Sequence, residues 1–154
     1  MSMTGPMPAI PAHEYRERWT RVQAMMERHH LDLVVAYADD RATFGPAHAR
    51  WLANYPVHFE PVCILIPRQG DPIMLCGPES DQYALLVGQI PDVRVLEAFT
   101  HPDEDYPYAT IQSLSEVVHD LKGVRSVGIA GQALMGSDVW SAFQKTGMVP
   151  PAVI

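Results

Sequence analysis

The sequence predicts an α/β fold in which a mixed sheet is flanked by helices. Helix-like and strand-like runs alternate along most of the chain, which favours strands joined by crossover helices. One pair of strand-like runs is separated only by a short turn, which adds an antiparallel hairpin. The length of 154 residues and the hydrophobic content of 47% are sufficient for one domain with a buried core.

The chain is expected to begin with a flexible lead-in over residues 1–12, which hold three prolines and little apolar periodicity. The domain proper is therefore expected over residues 13–154. Apolar residues at three- and four-residue steps predict an amphipathic helix over residues 14–30. The run "LDLVVAY" (31–37) predicts a buried strand, because it is short, apolar and rich in β-branched residues.

The runs "VCILI" and "PIMLC" predict the two antiparallel strands of the hairpin, with the turn "PRQGD" between them. If Ile66 faces Ile73 across this turn, the same register places Cys63 opposite Cys76. That separation can permit a disulfide bond. The alternative is two free thiols in the core, as is usual in a reducing compartment.

The rest of the chain shows the same alternation of helical and extended patterns. It predicts a helix over 78–89, a strand over 92–99, a helix over 108–123, a strand over 125–131 and a helix over 137–147. Ser80 or Glu79 is expected near the start of the first of these helices, and Ser137 or Asp138 as the cap of the last. The closing run "MVPPAVI" resembles the beginning of another strand.

The composition excludes two classes of partner. A net charge of −7, a pI near 5.4 and only 11 scattered basic residues argue against a nucleic-acid surface. The start of the chain has no basic region followed by an apolar one, and no later apolar run is long enough to cross a bilayer. No membrane partner is expected, and a cytoplasmic location is the default.

An acidic loop, "THPDEDYPY", is the one place where oxygen ligands for a hard cation gather. It holds His101, Asp103, Glu104 and Asp105. The spacing matches no EF-hand loop, and one short acidic run cannot surround an ion. A solvated loop is therefore the favoured interpretation.

No complete catalytic or metal-binding set is found in the sequence. Gly128, Gly131 and Gly136 lie between a strand and a helix, but they form neither GxGxxG nor GxxxxGK[ST]. The motifs GxSxG and HExxH are also missing. No cofactor, metal site or catalytic residue is therefore predicted for this chain.

The order of segments resembles the amino-terminal domain of the creatinase, prolidase and aminopeptidase P family. In that family a helix leads to a "glDalLv" strand, then to a "nirYLTGf" element and a hairpin. Here residues 31–35 match the first motif and residues 50–55 the second, within an expected irregular connector "ARWLANYPVHFEP". The sequence "ANY" replaces the usual "TGF" or "TGY", and the resemblance runs from Tyr15 to Phe143.

The resemblance implies an RNase H-like α/β fold that precedes a larger, carboxy-terminal "pita-bread" catalytic domain. In the family, that later domain binds two divalent metal ions through Asp, Asp, His, Glu and Glu. None of those motifs has a counterpart here, so this chain alone is expected to be inert as a peptidase. Family members are commonly homodimers, so a homodimer is also expected.

The resemblance also suggests a role for the large side chains of the connector. In family dimers, the amino-terminal domain of one subunit leans over the active site of the other. Tyr55 and His58 are therefore candidates to shape the partner subunit's substrate pocket, with Arg41 and Arg50 as possible partners for a substrate carboxylate.

Purely structural and functional alternatives remain open. Trp51 and Phe59 could plug the edge of the sheet, and Tyr55 and His58 could occupy an exposed turn. The preferred interpretation is a non-catalytic amino-terminal domain of a creatinase or Xaa-Pro peptidase-like metallohydrolase. The alternatives are a free-standing ligand-binding or protein-interaction module and, less favoured, an enzyme whose own site includes the acidic loop.

Overall fold

The predicted α/β architecture with a mixed sheet is confirmed by a computed structural model, which describes residues 9–146 and 152–153. A sheet of seven strands has the order β5-β4-β3-β2-β1-β6-β7. The strands are β1 (Leu33–Ala38), β2 (Val62–Pro67), β3 (Ile73–Cys76), β4 (Asp92–Leu96), β5 (Ile111–Gln112), β6 (Val127–Ala130) and β7 (Ala152–Val153). The helices are α1 (Ala12–Arg28), α2 (Ala47–Ala53), α3 (Asp81–Val87), α4 (Leu114–Asp120) and α5 (Ser137–Lys145).

Strand direction gathers several loops at one end of the sheet. Strand β2 is antiparallel to both β1 and β3, whereas the β1–β6, β3–β4, β4–β5 and β6–β7 pairs are parallel. Every strand except β2 therefore points the same way. The segments that follow β1, β3, β4 and β6, together with the segment that precedes β2, lie at this common carboxyl end.

The helices cover both faces of the sheet. Helices α1, α2 and α3 pack with Val34, Ala36 and their neighbours on one face, and α4 and α5 pack with Leu33 and Val35 on the other. All six residues of β1 are buried. This explains why β1 is a continuous apolar run rather than an alternating one.

Helix α1 confirms the predicted amphipathic helix, with its ends shifted by two residues. It buries Tyr15, Trp19 and Met26 against the sheet. Pro11 occupies the N-cap position. The lead-in predicted over residues 1–12 therefore overlaps the start of the helix, and residues 1–8 lie outside the described part of the chain.

The connector was predicted to be irregular, and this is wrong for its first part. Residues Ala47–Ala53 form α2, which ends at Asn54 in the left-handed conformation with φ 56°. Helix α1 holds the last turn of α2: the Trp19 indole N–H donates to the Leu52 carbonyl at 2.8 Å, and the Arg18 guanidinium donates to the Trp51 carbonyl at 2.7 Å. Tertiary contacts thus satisfy carbonyls that a helix end leaves unpaired.

The hairpin is confirmed, but its predicted register is wrong by one residue. Leu65, not Ile66, faces Ile73, so Cys63 lies opposite Leu75. Because successive residues of a strand point to opposite faces, this shift separates the cysteines. Cys63 and Cys76 belong to the cores on opposite sides of the sheet and are free.

The helix predicted over residues 108–123 is shorter than expected. Ile111 lies in strand β5, where it is exposed, and α4 begins only at Leu114. Ser113 and Glu116 form a capping box: the Glu116 N–H donates to Ser113 Oγ at 3.3 Å, and the Ser113 N–H donates to Glu116 Oε2 at 2.7 Å. This cap fixes the start of the helix after the strand.

The other predicted elements are present with shifted bounds. The helix predicted over 78–89 is α3, with Ser80 at its N-cap position, and the strand predicted over 92–99 ends at Leu96 before a short 3₁₀ turn. The last helix begins after an N-cap at Gly136, so the expected caps, Ser137 and Asp138, lie within its first turn. The final predicted strand is present as β7; its remaining residues are outside the described ranges.

Candidate functional site

A polar pocket lies at the carboxyl end of the sheet. We call it the carboxyl-edge pocket; its volume is about 280 Å³, and its polar and aromatic lining includes Tyr37, Arg41, Glu60, Glu79, Glu104 and Tyr106. These residues come from the end of β1 and the loop after it, the loop before β2, and the segments after β3 and β4. In open α/β sheets, ligands bind at this end because loops from several strands converge there.

The loop after β1 is built around Asp39, which is 2% exposed. Asp39 Oδ1 accepts from the Arg41 N–H at 3.2 Å, and the Asp39 N–H donates to the Gly45 carbonyl at 3.3 Å. A Cβ at Gly45 would lie 2.6 Å from Asp39 Oδ1, so the loop needs glycine at this position. Asp39 Oδ2 has no hydrogen-bond partner among the described residues.

Tyr37 lies at the end of β1 and is 1% exposed. Burial raises the pKa of Tyr37 above its usual value, and the negative charge of Asp39 adds to this effect. The hydroxyl group therefore stays protonated at neutral pH.

The loop before β2 is strained at Phe59. Its φ of 73° is uncommon for a bulky residue, and its N–H donates to Asp40 Oδ2 at 3.0 Å. His58 Nδ1 is 3.8 Å from the same Asp40 oxygen, and the His58 side chain is 89% exposed. Phe59 is 73% exposed. Asp40 thus joins the loop after β1 to the loop before β2 and presents both rings outward.

Glu60 is the buried carboxylate of the pocket, with 7% exposure. Its Oε1 accepts from the Glu79 N–H at 3.3 Å, whereas its Oε2 has no hydrogen-bond partner within residues 9–146 and 152–153. Burial raises the pKa of Glu60, while the neighbouring Ser80 hydroxyl and Glu79 N–H act in the opposite direction. A Cβ at Gly77 would clash with the Glu60 carboxyl group, so glycine makes room for it.

The structure separates the four residues predicted to shape a substrate pocket. Arg41, Arg50 and His58 are exposed, but only Arg41 lines the carboxyl-edge pocket, and Arg50 lies on α2. The side chains of Arg41 and Arg50 have no hydrogen bond or ion pair with any residue in the described ranges. His58 joins the Arg41 loop through Asp40.

Tyr55, the fourth predicted residue, is in the core rather than on an exposed turn. It is 1% exposed, and its ring centroid is 5.9 Å from that of Tyr83. Burial raises the pKa of Tyr55, and hydrogen bonding to Ser80 opposes that rise. Its direct role is therefore to support the connector from beneath.

The expectation that Trp51 and Phe59 plug the sheet edge is wrong. Trp51 is 44% exposed, and the Arg18 guanidinium lies 5.5 Å from its ring centroid. The same guanidinium lies 4.8 Å from the Tyr15 ring centroid. Trp51 therefore contacts helix α1 through Arg18, and Phe59 is exposed to solvent.

The acidic loop contributes one side of the carboxyl-edge pocket. The Tyr106 hydroxyl donates to Glu104 Oε2 at 3.0 Å, and it accepts from the His101 N–H at 3.3 Å. Asp103 and Asp105 are exposed, as expected for a solvated loop. In the described part of the chain, no group of three or more His, Cys, Asp or Glu side chains could hold a metal ion.

A second cavity is apolar and lies between α1, α2 and the sheet. Its volume is about 400 Å³, and Val22, Met25, Leu52, Ile66 and Ala130 are among the residues that line it. It lacks the converging carboxylates and aromatic hydroxyls of the carboxyl-edge pocket, so it offers little chemical selectivity.

Of the described helices, none has both the length and the apolar character to span a bilayer.

Sequence reasoning missed Glu60, Tyr37 and Asp39. Asp39 follows directly after a buried strand, and Glu60 precedes the next one by two residues. Polar residues next to buried strands signal a site at the end of a sheet. That signal could have identified both carboxylates, but not the lack of a partner for each.

Solved structures of prolidases share this fold. The prolidase from Pyrococcus horikoshii OT3 superposes with a TM-score of 0.62 at 14% identity, covering 90% of this chain and 32% of that one. The Xaa-Pro dipeptidase from Bacillus anthracis gives a TM-score of 0.60 at 13% identity, covering 91% of this chain and 33% of that one. The chain thus spans about a third of the length of these enzymes.

A separate amino-terminal domain is similar over nearly its whole length. The creatinase/prolidase-like amino-terminal domain of a Corynebacterium diphtheriae metallopeptidase gives a TM-score of 0.58 at 11% identity, with coverage of 91% of this chain and 94% of that one. No family model matches the sequence, and no curated protein matches it. The predicted resemblance is confirmed for the fold: this chain has the fold of a creatinase/prolidase amino-terminal domain.

Proposed function

We propose that this chain is the non-catalytic amino-terminal domain of a creatinase or Xaa-Pro peptidase-like metallohydrolase. The main support is coverage: the fold matches nearly all of a separate amino-terminal domain but only a third of complete prolidases. In this proposal a carboxy-terminal pita-bread domain follows, and that domain binds the two divalent metal ions. The location is cytoplasmic, which suits two free, buried cysteines.

The proposal also includes a homodimer in which this domain shapes the partner subunit's substrate pocket. The support is the exposed group at the carboxyl end of the sheet, where His58 and Arg41 are joined through the Asp39–Asp40 turn. The Arg41 guanidinium has no hydrogen bond or ion pair with any described residue, so it is available to bind a substrate carboxylate. Arg50 would add a second cation from α2, and Tyr55 would hold the connector in place.

The first test is to determine the native coding sequence beyond Ile154. A second domain with five spaced metal ligands is expected. A stop codon directly after Ile154 would contradict the proposal and favour the free-standing ligand-binding or protein-interaction module.

The second test uses the parent enzyme with its metals bound. Arg41→Ala and His58→Ala should each lower kcat/KM by about tenfold, mainly through KM, because they remove contacts to bound substrate rather than to the metals. Arg16→Ala, an exposed arginine on α1, is the matched control and should leave kcat/KM unchanged. Unchanged kinetics in both test variants would refute the role in the pocket.

A further inference from the structure

The apolar cavity between α1, α2 and the sheet is large for a space inside a close-packed domain, with a volume of about 400 Å³. Buried residues of β1 and β2 line it from the sheet, namely Val34, Ala36 and Ile66. Helix α1 contributes Val22 and Met25 to the lining, and α2 contributes Trp51 and Leu52. Since an apolar cavity of roughly 150 Å³ holds benzene, this one has room for a molecule of two rings.

Hydrogen bonds hold α2 at both ends and keep the cavity from closing. The last turn of α2 accepts from Trp19 and Arg18 of α1. In the first turn, His48 Nδ1 lies 3.1 Å from the Tyr37 carbonyl oxygen of β1. Gly131 permits this approach, because a Cβ there would lie 2.5 Å from the Tyr37 carbonyl oxygen and 3.3 Å from His48 Nδ1. The cavity is therefore formed before a ligand arrives, which lowers the entropy lost on binding.

His48 gives the cavity one accessible hydrogen-bonding atom. A carbonyl oxygen can only accept, so His48 Nδ1 carries a proton and donates to Tyr37. In the neutral ring the other nitrogen, Nε2, is then an acceptor, and it has no partner within residues 9–146 and 152–153. The described side-chain atoms that are both enclosed and unpaired are Tyr15 Oη, Asp39 Oδ2 and Glu60 Oε2. His48 Nε2 is not among them, because the ring is only partly buried, and a ligand can reach it.

The rest of the lining favours a neutral aromatic ligand. None of the described residues that line the cavity is Asp, Glu, Lys or Arg, so a charged ligand would lose hydration without gaining an ion pair. The thioethers of Met25 and Met26 and the ring of Trp51 make favourable contacts with aromatic rings. Selection therefore depends on apolar ring surface and on one hydrogen bond to His48 Nε2.

We propose that the apolar cavity binds a small neutral aromatic molecule that carries one hydroxyl or N–H donor. The ligand rings lie between α1 and α2 and contact Met25 and Trp51, and the donor binds His48 Nε2. This site belongs to the chain itself. It does not rest on the presence of a catalytic domain or on Arg41 and His58.

The proposal is tested by titrating the ¹⁵N-labelled 154-residue chain with indole and, separately, with 1-methylindole, which has nearly the same shape but no N–H donor. Saturable shifts of the Val34, Leu52 and Ala130 amide signals are expected, with Kd of about 0.1–0.3 mM for indole. The Kd of 1-methylindole should be about fivefold higher, because one hydrogen bond is lost. Benzoate, an aromatic anion, should give no saturable shift. No saturation with indole, equal Kd values for the two indoles, or binding of benzoate as tight as that of indole would overturn the proposal.

A variant of His48 assigns the hydrogen bond to its ring. His48→Leu should reduce the ratio of the two Kd values from about five to about one, since neither indole then finds an acceptor. Any loss of packing weakens both ligands equally and leaves this ratio unaffected. His13→Leu, at an exposed histidine of α1, is the matched control and should keep the ratio at about five. An unchanged ratio in His48→Leu would refute the role of His48.

A second variant locates the site independently of His48. Ala130 lines the cavity from β6 and is only partly buried, so Ala130→Leu should fill part of the space and weaken both indoles about tenfold or more. Ala24→Leu, at an exposed position of α1 outside the lining, makes the same substitution and should alter Kd less than twofold. Wild-type affinity in Ala130→Leu, with the amide spectrum of a folded chain, would refute the location. None of these results bears on the kinetics of a parent enzyme, so this proposal and the proposed function can fail independently.

Discussion

Asp32, before β1, and Glu60, before β2, lie at opposite ends of the sheet, and only Asp32 has partners for both of its oxygens. Asp32 Oδ2 accepts from the N–H groups of Arg125 and Ser126 at 3.0 and 3.1 Å, and Oδ1 pairs with Arg68 at 2.7 Å. Glu60 has one N–H donor and one unpaired oxygen, although it is the more buried residue. The difference indicates that the two carboxylates act on folding in opposite ways: Asp32 stabilises the amino end of the sheet, whereas Glu60 is costly to bury at the carboxyl end.

The contrast extends to the backbone and to charge. At the amino end, hydrogen bonds from Arg125 and Ser126 and the charge of Arg68 lower the pKa of Asp32, despite partial burial. At the carboxyl end, burial dominates and raises the pKa of Glu60, and Phe59 beside it has a positive φ. Strain and unpaired polar groups of this kind concentrate at functional sites.

The largest expected effect comes from removing the paired carboxylate. Asp32→Ala should lower the free energy of unfolding by about 2–3 kcal/mol, because it leaves two N–H groups and one guanidinium without their acceptor. Urea unfolding at pH 7 measures this. Asp71→Ala, an exposed aspartate in the turn between β2 and β3, is the control and should change stability by less than about 0.5 kcal/mol. A similar loss in both variants would contradict the special role of Asp32.

Much of this architecture was predictable because it follows from local patterns. Most helices and strands have the apolar spacing typical of their type, and these elements alternate along the chain. The continuous apolar run of β1 indicates burial on both faces of the sheet. Helix α2 could not be predicted, because its last turn depends on Trp19 and Arg18, which are about thirty residues earlier in the chain. The register of the hairpin was predicted wrongly because a turn that is one residue longer or shorter contains the same turn-forming residues.

The candidate site was predictable only in part. Exposed His58 and Arg41 follow from polarity and position, but the burial of Tyr55 results from its packing against Tyr83. The position of Glu60 beside β2 could have been noticed in the sequence, but its burial against Gly77, seventeen positions later, could not. Sequence patterns carry no information on such a contact between loops.

Removing the charge of Glu60 should change the free energy of unfolding in the opposite direction. Glu60→Gln should raise the free energy of unfolding at pH 7 by about 1 kcal/mol, because a neutral amide is less costly to bury than a carboxylate. Glu97→Gln, an exposed glutamate after β4, is the control and should have almost no effect. A destabilised Glu60→Gln protein would show that the charged carboxylate is satisfied after all.

The dependence on pH separates the two carboxylates in one experiment. The pKa of Asp32 is lower in the folded state, so its stabilisation is complete above about pH 4 and is lost as the pH falls through the lowered pKa. The pKa of Glu60 is higher in the folded state, so stability falls as the pH rises from about 4.3 to the raised pKa. Glu60→Gln should abolish the second change and leave the first.

The smallest expected effect tests the strain at Phe59. At φ 73°, glycine is favoured over any residue with a Cβ, so Phe59→Gly should be more stable than Phe59→Ala by about 0.5–1 kcal/mol. Thermal unfolding of both variants measures the difference. His58, whose φ is not positive, provides the matched pair, and there alanine should be more stable than glycine. The same preference at both positions would mean that the loop before β2 is not strained, and that the two ends of the sheet differ only in their charges.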